Sequence, residues 1–142
     1  MTALFDVNML VALLDAAHVH HSRAKAWLLS QPQPSWASCP ITQNGFLRVI
    51  SQPAYPSPIN LSRAASLLSG ATESSHHEFW SDDLSLLDDA IIDHSRIHGP
   101  KQITDVYLLA LAVKHGGRLV ALDRAIPLAA ARGAKSRHLV LL

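Results

Sequence analysis

Two short apolar runs, "TALFD" at residues 2–6 and "RLVALD" at residues 118–123, each stop on an aspartate. Runs of this length and character suit strands buried on both faces. Between and around them lie longer stretches with helical spacing. "VNMLVALLDAAH" is apolar almost all round, which predicts a helix buried on several sides or packed against a second subunit. "HHSRAKAWLLSQ" carries Ala24, Trp27 and Leu28 at helical spacing, and "SWAS" is a weak strand. "TQNGFLRVIS" reads as a helix capped by Thr42, and "NLSRAASLLSG" as one running from an Asn60 cap to Gly70. "HHEFW" is a further candidate strand, and "SLLDDAIIDHSRIHG" a helix closed by Gly99. "TDVYLLALAVKHGG" is the clearest helix, with Thr104 as its cap, Asp105 in its opening turn and Gly116-Gly117 at its end. "HLVLL" supplies a last strand. Short strands alternating with longer helices predict an α/β fold, a sandwich around a mainly parallel sheet, in a single domain over residues 1–142.

Composition narrows the chemistry. Hydrophobic residues make up 49% and charged residues 16%, which is the balance of a chain with a packed core. Cys39 is the single cysteine, so neither an internal disulfide nor a cysteine-based zinc site is available, and a reducing cytoplasm is the expected setting. No basic leader precedes the first apolar run, and Asp6, Asp15 and Lys114 interrupt the best apolar stretches, so neither secretion nor a membrane span is expected. There is no G-x-S-x-G elbow for a serine hydrolase and no glycine-rich phosphate loop. The histidine groups His18, His20, His21 and His76, His77 lack the spacing of a zinc site and read as ordinary polar residues. Trp27, Trp36 and Trp80 read as core. Residues 73–93 hold seven acids and no Lys or Arg, whereas residues 94–142 hold eight basic side chains and two acidic ones. That basic half suits a polyanion such as RNA, but charge alone favours plain solubility.

The acids are more informative than the net charge. Ligands of open parallel sheets bind outside the carboxyl ends of the strands. Asp6 ends the first apolar strand, Asp123 ends "RLVAL", and Asp105 opens a helix, so all three are expected on one edge. Helix capping accounts for each position taken singly but not for the shared edge. Clustered carboxylates repel one another unless a cation intervenes. Oxygen ligands without a cysteine pair point to a hard ion, Mg²⁺ or Mn²⁺, and such an ion suits phosphodiester hydrolysis.

Three segments carry a family likeness in the expected order: "LFDVNMLVALL", "CPITQNGFLRVISQPAYP" and "ITDVYLLALAVKHGGRLVALDR". Together they resemble the PIN-domain nucleases, and within these the VapC-type ribonuclease toxins of bacterial toxin–antitoxin pairs. The resemblance implies a PIN-like three-layer sandwich, Mg²⁺- or Mn²⁺-dependent endoribonuclease activity, a homodimer, and a cognate antitoxin that blocks the site. By motif position Asp6, Asp105 and Asp123 match the family's acidic metal ligands. Thr104 matches a supporting hydroxyl, and Asn8 lies where it can orient the first ligand or a bound water. Where the family usually has Glu, this chain has Gln43. Gln43 then either holds a metal-bound water through its amide, or marks a variant with reduced cleavage, or is only a helix residue outside the site. Asp82 and Asp83 are further sources of a fourth carboxylate, although an acidic solvated loop is the simpler reading. Arg48 and Arg124 are candidate phosphate contacts, with solvated surface arginines as the alternative. The competing functional reading is a catalytically weakened PIN module that acts mainly by binding antitoxin or RNA. A receiver-type phospho-acceptor domain ranks below both, since the adjacent acidic pair near the first strand is missing.

Overall fold

The computed structural model describes residues 1–122 and 125–142. In chain order, β1 (Ala3–Phe5) leads into α1 (Val7–Leu14) and α2 (His21–Leu29), followed by β2 (Trp36–Ser38), α3 (Pro40–Ser51) and α4 (Leu61–Thr72). Then come β3 (His77–Phe79), α5 (Ile103–Lys114), β4 (Arg118–Ala121) and β5 (Leu139–Leu141). Among the described residues the strands form one parallel sheet in the order β3-β2-β1-β4-β5, with Phe5 in register with Val120. The expected α/β architecture with a parallel sheet is therefore present.

Alternation along the strands divides the molecule into layers. Leu4, Ala37, Leu119 and Ala121 face α5, where they join Val106, Leu108, Leu109 and Leu111 in one core. Ala3, Phe5, Trp36 and Val120 face the other way and pack with Met9 and Leu10 of α1, Phe46 of α3 and Leu68 of α4. A period of two sends neighbouring residues to opposite faces, so strands with both faces covered must be apolar throughout. Each large side chain so withdrawn from water contributes about 1.5–3 kcal/mol. The apolar character of α1 is explained inside the chain, because Met9, Leu10, Val11 and Ala12 are all buried in this second core. Trp36 and Trp80 are core residues as expected, and Trp80 stacks on His115 with ring centroids 4.5 Å apart. No helix among the described residues is long and apolar enough to cross a membrane.

Several boundaries differ from the sequence expectation. The helix expected over residues 85–99 is instead a series of turns with a single 3-10 turn at His94–Arg96. Ser85, Asp88 and Asp93 each accept the backbone N–H two residues ahead, from Leu87, Ala90 and Ser95, and these local bonds compete with a helix. α3 starts at Pro40 rather than after Thr42, and the Thr42 hydroxyl accepts the Cys39 N–H at 3.0 Å from inside the first turn. Asn60 does cap α4, but the helix continues past Gly70 to Thr72. At α5 a 3-10 turn, Pro100–Gln102, feeds straight into the helix, so Thr104 sits within the first turn and not at the cap.

Candidate active site

β1 occupies the middle of the sheet, with β2 on one side and β4 on the other. The chain departs in opposite directions on the two sides of β1, and such a switch point leaves a crevice beyond the strand ends. Asp6 is the first residue past β1. Its backbone N–H donates to the Val120 carbonyl of β4 at 3.1 Å, and its Oδ1 accepts the Met9 N–H at 2.7 Å. The residue is thus tied to the neighbouring strand and to the first turn of α1 together, and it is only 3% exposed. Asp105, in the first turn of α5, is 7% exposed. A parallel sheet brings the start of α5 to the same edge as the end of β1.

The two carboxylates meet there. Asp6 and Asp105 line one cavity of about 270 Å³, together with Asn8, Thr104 and Arg48, all expected from sequence, and with Val7, Val49, Pro100, Lys101 and Leu108. Asp123 and Arg124 lie outside the described residues. Lys101 was missed in the sequence. Its signal was its position four residues before Asp105, a spacing that puts two side chains on one helical face.

Gln43 is a correction. Its amide donates to the Ser38 hydroxyl at 3.0 Å, Ser38 in turn meets His77 Nε2 at 2.8 Å, and Gln43 lines a separate hollow with Leu47, Ala65 and Leu68. It belongs to the junction of β2, α3 and α4, which matches the reading of Gln43 as a helix residue outside the site. Asp83 is likewise elsewhere. It lies 3.4 Å from both Lys114 Nζ and His115 Nε2, at the far end of α5 from Asp105, and Lys114 is nine residues on from Asp105, about 13 Å along the helix. The histidines serve local structure: His21 Nδ1 meets the Ala12 carbonyl, and His18 Nδ1 accepts the His20 N–H. Burial pushes the Cys39 thiol upward in pKa, which leaves it inert near neutrality.

The donor chemistry of the cavity is all oxygen: two carboxylates, the Asn8 amide and the Thr104 hydroxyl, with no histidine or cysteine in the wall. Oxygen donors of this kind fit a hard divalent ion better than zinc. Among the described residues no group of three or more His, Cys, Asp or Glu side chains that could hold a metal ion is found.

Comparison with known proteins identifies the family. The family model for the PIN domain matches residues 3–132. The chain is 58% identical to Ribonuclease VapC44 of Mycobacterium tuberculosis over 142 residues, the full length of both. It is 42% identical to Ribonuclease VapC38 of the same organism over 125 residues, which is 87% of this chain and 86% of that one. Among solved structures, the M. tuberculosis sarcin-ricin loop cleaving toxin VapC20 shares the fold with a TM-score of 0.57. That match is 15% identical and covers 82% of this chain and 85% of the other.

Proposed function

The chain belongs to the PIN-domain family, among its VapC-type ribonucleases, and from that membership and its acidic cavity we propose that it is a divalent-metal-dependent endoribonuclease toxin held in check by a cognate antitoxin. The observation that carries the reading is the meeting of Asp6 and Asp105, nearly a hundred residues apart, in the wall of one polar cavity. Mg²⁺ or Mn²⁺ would be held by these two carboxylates, with Asp123 as the third ligand. A divalent ion bound there supplies Lewis acidity, lowering the pKa of water and offsetting charge that develops on phosphoryl oxygens.

The chain's own residues do the rest. The bonds from Asp6 to Val120 and Met9 fix the first carboxylate before any ligand arrives, so little reorganisation remains at the moment of reaction. Thr104 and Asn8 bring neutral oxygen and amide groups to orient water or a ligand carboxylate. Arg48, which lines the cavity, and Arg124 would offer guanidinium groups to the RNA phosphate, and a guanidinium favours two-point contact. The cavity is lined by an arginine and a lysine as well as the acids, which suits an anionic strand held against it.

An apolar cavity of about 310 Å³ bordered by Leu10, Leu13, Leu14, Leu28 and Leu29 supports the partner half of the reading, since an antitoxin segment with apolar side chains would cover it. The expected homodimer remains part of the proposal, as does action on RNA in the cytoplasm.

The test is cleavage of end-labelled RNA with added Mn²⁺. The wild-type chain cuts, EDTA stops it, Asp105→Asn abolishes it, and the co-purified antitoxin suppresses it. Undiminished cutting by folded Asp105→Asn would sink the proposal.

A further inference from the structure

The acid cavity has a neighbour. Lys101 and Asp105 also line a second hollow of about 270 Å³, with Gln102 and Ala125. These two residues are therefore the wall that both spaces share. Lys101 is held by the Pro100–Gln102 turn, which is continuous with α5, so its backbone cannot drift relative to Asp105. It makes no ion pair among the described residues, although a carboxylate stands one helical turn away. Gln102 is oriented as well: its Oε1 accepts the His98 N–H at 2.9 Å, which leaves the amide Nε2 as a donor directed elsewhere. An ammonium with three donors and an amide with two thus border a hollow beside one that is lined by acids.

Such a pairing has a chemical reading. A nucleic acid strand presents phosphates at a regular interval, and a site that acts on one must hold others to fix the register. A lysine serves as a point charge for a phosphate, and on its side of the wall it offsets the negative charge that Asp105 brings. We propose that the hollow bordered by Lys101 and Gln102 is a second phosphate subsite, which binds the phosphate next to the scissile one and so sets where the strand is cut. The proposal rests on the nuclease reading above and adds to it a positioning residue and a place for its ligand.

Binding and cutting are measured separately. Fluorescence anisotropy with a labelled single-stranded RNA, in EDTA so that nothing is cleaved, is followed against salt for the wild type, Lys101→Met and Lys101→Arg. Loss of one phosphate contact should weaken binding roughly tenfold at low salt and flatten the log–log salt slope by about 0.7 for a single strand, with arginine restoring most of both. A set of RNAs with one methylphosphonate each, moved along the strand, should show one position where the wild type loses affinity and Lys101→Met does not. A merely structural lysine would shift thermal stability and leave the salt slope and the position scan unchanged. Equal slopes and equal losses in wild type and Lys101→Met overturn the subsite, as does failure of the wild type to bind RNA. Cleavage of the same RNA with Mn²⁺ reports on the nuclease reading independently. Cutting with an unchanged slope sinks the subsite alone, whereas a Lys101-dependent slope without cutting supports the subsite and sinks the nuclease.

Discussion

Gly45 of α3 lies so close to Val7 of α1 that a Cβ on it would stand 2.3 Å from Val7 Cγ2. Val7 follows Asp6 and itself lines the acid cavity, so this contact sets how near α3 approaches the site. In an exposed helix interior alanine would be favoured over glycine by about 1 kcal/mol. Here the added methyl must displace a β-branched side chain that is stiff at χ1. Gly45→Ala is expected to destabilise the fold by about 1–3 kcal/mol, the usual cost of overpacking. RNA cleavage should fall as well, because Val7 cannot move without disturbing Asp6. Urea unfolding and initial rates at a temperature where both proteins are folded check the two effects.

Asp6 caps α1 and is also a proposed metal ligand, and the two roles can be separated. Asparagine caps a helix as well as aspartate does, but brings no charge. Asp6→Asn should therefore keep wild-type stability and lose cleavage. Asp6→Ala should lose cleavage and also about 1 kcal/mol of stability. Thermal melts and Mn²⁺ titration of the three proteins distinguish cap from ligand.

The contact of Gln43 with Ser38 predicts that Gln43→Glu changes neither Mn²⁺ affinity nor cleavage by more than about twofold, since the added charge faces β2 and α4 and is screened there. Calorimetric Mn²⁺ binding is the direct measurement. A large gain in affinity would show that the carboxylate reaches the acid cavity after all.

How far the sequence carried the fold and site can be argued from single residues. Asp6 was legible because a strand buried on both faces is apolar to its end, and the first charge marks where it leaves the core. Asp105 was legible because α5 is apolar along most of its length, so a buried carboxylate in its opening turn needs a reason. Gln43 was misplaced because a helical stretch gives periodicity but not rotation: a shift of two residues turns a side chain by about 200° around the axis. The turns at residues 85–99 were missed because Ser85, Asp88 and Asp93 engage backbone groups two residues ahead, a competition that hydrophobic spacing does not register. Lys101 went unnoticed since an isolated lysine looks like any surface charge until the cavity beside it is known.

Acid should loosen the C-terminal turn. His138 is buried, and its Nδ1 accepts the Lys135 N–H at 2.8 Å, so that nitrogen carries no proton. Burial holds its pKa below the ordinary 6.5, with the charges of Arg137 and Lys135 acting in the same direction. In the unfolded chain the group titrates near 6.5. As pH falls below that value the unfolded state takes up a proton that the folded state refuses, so stability declines; above it this residue has no effect. His18 and His77 are shifted the same way, both chiefly by burial, and add to the decline. Urea midpoints at pH 7.5, 6.5 and 5.5 should fall in that order on these grounds, and His138→Asn should flatten the trend by its share. An identical slope in the variant would remove His138 from the account.

The strand order has a temporal side. β1 leaves the ribosome well before its neighbour β4, and the Val120 carbonyl that holds the Asp6 backbone arrives only with β4. Translation proceeds at about 5–20 residues per second, so a nascent chain spends several seconds with one acid made and the other not. On the proposed function, a nuclease laid out in this way cannot attack the message being read until α5 and β4 have both been made.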